Sequence, residues 1–304
     1  MPTMPRNPLR IILQPLMSVL VCFLLAAPTA RACTLWAAAG DAVQGGGAII
    51  VKNRDWTPGE SQRIETFRPA GGYAYAALMA TREASKSAGV QVEIDRPVAG
   101  VNEKGLTVIS AAASSLPRRD RQASTANRKL MAQILTLCAS VDEARALDQS
   151  RFRGPLFLML ADRDKIAVVE IGLEGMVAWR TQTNGVLYHT NHYLEPALQR
   201  FNRKLGESST ARYARIAHLL QSSPKPYTFD SLLAFTRDHA AGPDDSIMRT
   251  GSTPTSTRTV AVFAVSLPGS GEAEVYVRLL QEGKPEHEET NTLDSLLTPA
   301  AKGR

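Results

Sequence analysis

Cysteine is scarce in this chain of 304 residues: three are present, Cys22, Cys33 and Cys138. A scaffold stapled by several disulfides is thereby excluded, and a chain this long buries a core without such help. Histidine is scarce too, with five copies. The one close pair, His189-x-x-His192, lacks a third ligand in clear register, so no metal site and no cofactor is expected. Aromatic residues make up 6% of the chain, and no basic run interleaves with them, which argues against nucleic acid as a partner. Gly-x-Ser-x-Gly is missing, and with it the sequence support for a serine hydrolase. Only one long apolar run exists, and it stands at the very start.

That run reads as an export signal. Met1 to Arg10 carries Arg6 and Arg10 and no acid; residues 11–27 are then almost wholly apolar, and Ala30-Arg31-Ala32 is the small-x-small pattern of a signal-peptidase site. Pro15 and the cleavage pattern disfavour the rival reading as a membrane anchor. The expected organisation is therefore a signal peptide at 1–32 and a single domain at 33–304, exported to the periplasm or secreted, with no membrane association once the signal is gone. Removing the three arginines of the signal takes the formal charge from +6 to +3, too mild to define a partner. Homo-oligomerisation is left open.

Cys22 leaves with the signal. Cys138 falls within 127–147, where Leu130, Met131, Ile134, Leu135, Val141 and Leu147 share a helical apolar face, so it is expected as a small core residue and not as a bridge to Cys33. Short apolar runs at 34–39 and 48–53 flank Gly40-Asp41 and Gly45-Gly46-Gly47 as a hairpin. Strands are expected at 73–80, 90–94, 106–113, 156–160, 166–171, 176–179, 186–189, 260–266 and 274–280. Helices are expected at 127–147, 209–221 and 229–239, a polar basic loop at 117–126, and a loose polar tail from about 282. Such an order is α+β, not alternating βαβ.

Cys33 directly follows the cleavage pattern, and an N-terminal cysteine has its own chemistry. A free α-amine titrates near roughly 7.7–8, so a useful fraction is neutral at pH 7 and able to take the thiol proton. Such a residue is nucleophile and base at once; it needs an acceptor to orient the amine and preorganised donors for the oxyanion. With the hairpin turn centred on Gln44, Cys33 lies as far before the centre as Asp55 lies after it. The two would then oppose each other at roughly 5 Å. Asp55 as a plain strand-end turn residue stands equally open at this point.

Cys33-Thr34-Leu35-Trp36, Lys52-Asn53-Arg54-Asp55-Trp56 and Gly100-Val101-Asn102-Glu103-Lys104-Gly105-Leu106 resemble the opening of the choloylglycine hydrolase and penicillin V acylase superfamily. They are still more similar to its acyl-CoA:isopenicillin N acyltransferase-type branch. Thr190-Asn191-His192 resembles the superfamily's Thr-Asn segment, and Ser209-Thr210-Ala211-Arg212-Tyr213-Ala214-Arg215 its Ser-x-x-Arg-aromatic-x-Arg helix start. The resemblance implies a four-layer αββα N-terminal-nucleophile hydrolase fold with two stacked antiparallel sheets, and cleavage or transfer at a linear amide of a small N-acyl substrate. It implies Cys33 as nucleophile and base, Asp55 as the residue holding the α-amine, Asn191 as an oxyanion donor and Arg212 as electrostatic support near the thiol. Asn102–Gly105 reads as a tight structural turn.

Two positions depart from the pattern. The bile-salt and penicillin enzymes have Arg where this chain has Lys52, with Arg54 nearby. Their Asn or Tyr of the oxyanion region aligns with Ala112, which has no side-chain donor. A lipid-anchored envelope binding protein is the alternative from a different class, but Ala30 and Arg31 fit a lipoprotein site poorly. Acyl transfer would use the same residues as hydrolysis.

Overall fold

The computed structural model describes residues 32–83, 93–124 and 126–298; of the expected signal at 1–32, all but Ala32 lies outside them. Strands in chain order are β1 (Ala32–Ala39), β2 (Gly47–Trp56), β3 (Ser61–Phe67), β4 (Tyr75–Glu83), β5 (Glu93–Asn102) and β6 (Thr107–Ala112). Three short helices follow, α1 (Arg118–Ala123), α2 (Leu130–Leu137) and α3 (Val141–Ala146). Next come β7 (Leu156–Ala161), β8 (Ile166–Ile171), β9 (Val177–Gln182) and β10 (Gly185–His189). Then come α4 (Glu207–Ser222), α5 (Phe229–Ala234), α6 (Gly242–Asp245), β11 (Arg258–Pro268), β12 (Glu274–Leu279), β13 (His287–Thr292) and α7 (Leu293–Leu297).

Two antiparallel sheets result, one of six strands in the order β10-β1-β2-β11-β12-β13 and one of seven running β3 through β9 in sequence order. The side-chain alternation of β1 shows how they stack. Leu35, Ala37 and Ala39 join Ile50, Leu78, Ile109, Met159 and Phe263 in a core between the sheets. Trp36 and Ala38 face the other way, into a core with Ile216 and Leu220 of α4 and Leu232 of α5. On the far side, Tyr75, Ala77, Val108 and Leu158 pack against Leu130, Ile134 and Leu135 of α2. Helix, sheet, sheet and helix form four layers, as the resemblance implies. Strands covered on both faces need apolar residues at every position, hence the unbroken run Trp36-Ala37-Ala38-Ala39.

Three expectations are corrected. The single helix at 127–147 is two: the chain turns extended at Cys138, and the Ser140 side chain accepts the Glu143 N–H to start α3. The basic loop at 117–126 contains α1. The tail beyond 282 is not loose, because β13 pairs along β12 and α7 buries Leu293 and Leu297 between the sheets. Its sequence, His-Glu-Glu-Thr-Asn-Thr, carries no apolar signal since an edge strand contributes backbone bonds and leaves its side chains to water. Cys138 is buried and unbridged, and burial pushes its thiol up to about 11.

Asn102 does more than close a turn. Its Oδ1 accepts the backbone N–H groups of Lys104 and Leu106 at 3.1 and 3.0 Å. Its Nδ2 donates to the carbonyls of Leu135 and Cys138 at 2.8 and 2.7 Å, satisfying the carboxyl end of α2. No helix among the described residues is long and apolar enough to cross a membrane.

Gly47 tests the join between β2 and β11. Its φ is +87°, and a Cβ there would lie 2.1 Å from the Leu267 carbonyl oxygen. Gly47→Ala is expected to cost about 2–4 kcal/mol, from left-handed strain plus overpacking. Gly59→Ala, at a similar φ of +88° but with nothing within 4 Å, should cost roughly 1 kcal/mol. Urea midpoints of the two variants against the parent measure the difference; equal losses would show that backbone crowding at Gly47 is not felt.

Candidate active site

Cys33 sits near the start of β1, buried, on the face between the sheets. Its partner across β2 is Arg54, and Asp55 pairs instead with Ala32. The expected pairing of Cys33 with Asp55 is therefore one residue out. The connection spans residues 40–47, opening with a single 3-10 turn at Gly40–Ala42, so that Ala39 pairs with Ala48. Such a slip exchanges faces: Lys52 and Arg54 share the thiol's face, whereas Asn53 and Asp55 point to the helical layer. Two contacts bear this out. Lys52 Nζ donates to the Val98 and Ser110 carbonyls of the opposite sheet at 2.6 and 2.7 Å. Asn53 Nδ2 donates at 2.9 Å to the Thr236 and Ile247 carbonyls.

Asn191 and Arg212 converge on the Cys33 backbone. The Cys33 N–H donates to Asn191 Oδ1 at 2.9 Å. Arg212 Nη1 donates to the Cys33 carbonyl at 2.6 Å and to Thr34 Oγ1 at 2.9 Å, while Nη2 donates to Asn191 Oδ1 at 3.0 Å. Ser209 and Arg212, three apart on α4, lie on one helix face, and Ser209 Oγ accepts the Asn191 N–H at 3.0 Å. Asn191 Nδ2 donates to the Ala112 carbonyl at 2.9 Å. A carboxamide nitrogen has two hydrogens, and this bond uses one of them. Ala112, which offers no side-chain donor, thus orients the residue that does.

Asp55 lies fully buried behind this group. A register shift in β11 between Thr259 and Ala261 accompanies the Thr259 hydroxyl's bond to Asp55 Oδ1 at 2.8 Å. Asp55 Oδ2, Arg249 Nε and Arg249 Nη1 are buried with no hydrogen-bond partner among the described residues. A cavity of about 810 Å³ opens over Cys33, Lys52 and Ala112, and Leu130, Met131 and Leu156 supply apolar wall. His189 is not free for a metal: its ring nitrogens meet the Thr190 carbonyl at 2.9 Å and Glu170 at 3.1 Å.

Residues 43–278 match the family model described as acyl-coenzyme A:6-aminopenicillanic acid acyl-transferase. The chain belongs to this family. A solved structure of a variant of conjugated bile acid hydrolase from Clostridium perfringens shares the fold, with a TM-score of 0.50 at 14% identity over 88% of this chain and 94% of that one. The architecture is accordingly that of an N-terminal-nucleophile hydrolase. No curated protein matches the sequence.

Within this acyltransferase family member, the charges around the thiol divide by face. Arg54 is held by a buried ion pair with Glu60, and its guanidinium stacks 4.8 Å from the Trp56 ring, which Arg96 covers at 4.7 Å from another side. Lys52 has no such carboxylate among the described residues. Burial pushes its ammonium down to about 7, opposed by Cys33 and reinforced by Arg54 and Arg96. Burial likewise lowers Arg212 to about 10 and raises the Asp55 carboxyl, while Arg212 and Arg249 pull Asp55 back toward its charged form. Thr259 and Arg249 carried no sequence signal. Ser209 stood inside the helix-start motif with no role assigned to it.

The Lys52 ammonium makes stability depend on pH in a definite direction. In the folded protein it loses its proton near 7, and in the unfolded chain near 10.5. Between those values the unfolded chain binds more protons, so through this group the free energy of unfolding rises with pH. Lys52→Met removes the buried charge. Relative to the parent, the variant should be favoured most near about pH 6 and lose ground steadily toward about pH 10. Urea midpoints across that range read the effect, and a pH-independent difference would refute it.

Proposed function

We propose that the protein is exported, that removal of residues 1–32 makes Cys33 its first residue, and that Cys33 then hydrolyses a linear amide of a small N-acyl substrate. The observation that carries this reading is the environment of Cys33: its side chain borders the cavity, and its backbone is clamped by Asn191 and Arg212. The buried, unpartnered Asp55 oxygen belongs to the residue that pairs with Ala32, the residue cleavage removes. The family match begins after Cys33, so the role of this cysteine rests on geometry and on the chemistry of amino-terminal thiols.

In the proposed reaction, the α-amine takes the thiol proton and the sulfur attacks the amide carbonyl carbon. The second Asn191 amide hydrogen and the Lys52 ammonium, which lines the cavity, serve the oxyanion, and Asp55 holds the α-ammonium. Collapse breaks the C–N bond, and the leaving amine takes the proton from the α-ammonium. Water then attacks the thioester, giving a carboxylic acid and the free thiol. An amine in place of water would give acyl transfer, the reaction named in the family's description; product analysis separates the two.

Intact mass of the exported form should show an unmodified chain beginning at Cys33; a diacylglyceryl adduct would point to the lipid-anchored alternative. Cys33→Ala should fold and be inactive on a chromogenic N-acyl amide. A form retaining one Gly before Cys33 keeps the thiol but turns the base into an amide, and should lose roughly 10²–10⁴ in rate. Near-normal activity of that form would sink the mechanism even if Cys33 stayed essential.

Asp55→Asn should lower turnover per folded molecule by about the same 10²–10⁴, since the base it orients is misplaced. Active-site titration of the folded fraction supplies the denominator. Normal turnover per folded molecule, with only stability reduced, would leave Asp55 a structural residue.

A further inference from the structure

Charge is distributed unevenly around the cavity over Cys33. Asp95 is the one carboxylate among its described lining residues, and its oxygens are taken by Arg63 at 3.1 and 2.7 Å. Glu60, just outside, pairs with both Arg54 and Arg96. Arg118, Arg121, Arg128 and Arg153 also line the cavity, and none of them has a carboxylate partner among the described residues.

The four come from three segments: Arg118 and Arg121 from α1, Arg128 from the turn before α2, and Arg153 from the loop before β7. Residues 118 and 121 are three apart on a helix and therefore neighbours on one face. Four like charges gathered at one cavity repel one another, a cost that an anionic ligand would offset. Arg121 is half-buried, and its guanidinium is lowered first by burial and then by Arg118. Its hydrogen bond to the Ala113 carbonyl is long at 3.4 Å, leaving most of its five N–H donors unused among the described residues.

We infer that the substrate carries a group with two negative charges, held by Arg118, Arg121, Arg128 and Arg153, while its apolar part lies along Leu130, Met131 and Leu156. The inference rests on the amidase reading above and names its substrate class. Guanidinium forks pair with carboxylates and phosphates alike, and four forks exceed what a single carboxylate engages. A dicarboxylate and a phosphate monoester both satisfy them. The site is a cavity beside a thiol, with apolar wall, and not an extended track for a polymer.

The test uses the mature enzyme and amides sharing one acyl chain. Ethanolamine supplies a neutral head, glycine one charge, glutamate two carboxylates and phosphoethanolamine a phosphate. Butyryl and 4-phosphonobutyryl anilides vary charge on the acyl half instead, from neutral to a dianionic phosphonate. We expect kcat/KM for a dianionic substrate to exceed that of its neutral counterpart by roughly tenfold or more, in at least one series; whichever of glutamate and phosphoethanolamine leads identifies the anion. In Arg118→Gln/Arg121→Gln the dianionic-to-neutral ratio should fall roughly tenfold, mainly through KM. Arg118→Lys/Arg121→Lys should keep more of it, and Lys284→Gln on the exposed surface should not move it.

Equal use of neutral and dianionic substrates in both series, or a preference that survives the double Gln variant, overturns the inference. Calorimetric binding of N-acyl-glutamate and N-acyl-ethanolamine to Cys33→Ala reads the arginines without turnover. Selective binding of the dianion with no hydrolysis by the parent would sink the amidase reading and leave the anion site standing. Hydrolysis with no charge preference would do the reverse.

Discussion

One buried guanidinium ties the site together. Arg212 reaches from α4 through the helical layer and divides its donors among the Cys33 carbonyl, the Thr34 hydroxyl, Asn191 Oδ1 and Ser208 Oγ. Three segments far apart in sequence therefore meet on one planar, rigid fork. A cation this deep is costly unless its donors and its charge are both answered. Oxygen acceptors answer the donors, and Asp55 answers the charge, partly against Arg249. Everything that orients Asn191 and the Cys33 backbone depends on that balance.

A second buried pair holds the loop after β10 from the other side. Glu170 accepts the backbone N–H groups of Leu194 and Glu195 at 2.9–3.2 Å and meets His189 at 3.1 Å. The Thr190 hydroxyl donates to the Ser209 carbonyl at 3.0 Å. Asn191 thus sits in a chain segment anchored at both ends, and a satisfied polar network of this kind specifies one arrangement. In the proposed reaction that preorganisation would matter, because a donor that must reorient stabilises little.

Opposite faces of β2 carry opposite tasks. The face toward the second sheet gives Lys52 and Arg54 to the thiol side, and the face toward the helices gives Asp55 to the Arg212 cluster. Arg54 is committed to Glu60 and Trp56, so Lys52 is the cation of this face without a carboxylate. An arginine at that position would remain charged at any working pH; a lysine buried there is not so bound, and its ammonium weakens near neutrality. The departure at this position from the pattern of the bile-salt and penicillin enzymes is thus a change of chemical character and not only of size.

Patterns local in the chain were legible without coordinates: the hairpin, most strands, the helix bearing Ser209 and Arg212, and the lone thiol behind a cleavage pattern. Each depends on nearest neighbours along the chain, where periodicity and turn residues act directly. Family resemblance supplied the αββα layering, which periodicity alone could not. Tertiary structure decided what depends on distant contacts. The break at Cys138 follows from Ser140 capping and Asn102 reaching across from β5; the edge strand β13 exists because β12 offers it a backbone to pair with. Above all, one residue of hairpin register moved Lys52 and Arg54, and not Asp55, onto the face of Cys33. A period of two makes such a slip decisive, and only the packing of β1 and β2 between two other layers selects it.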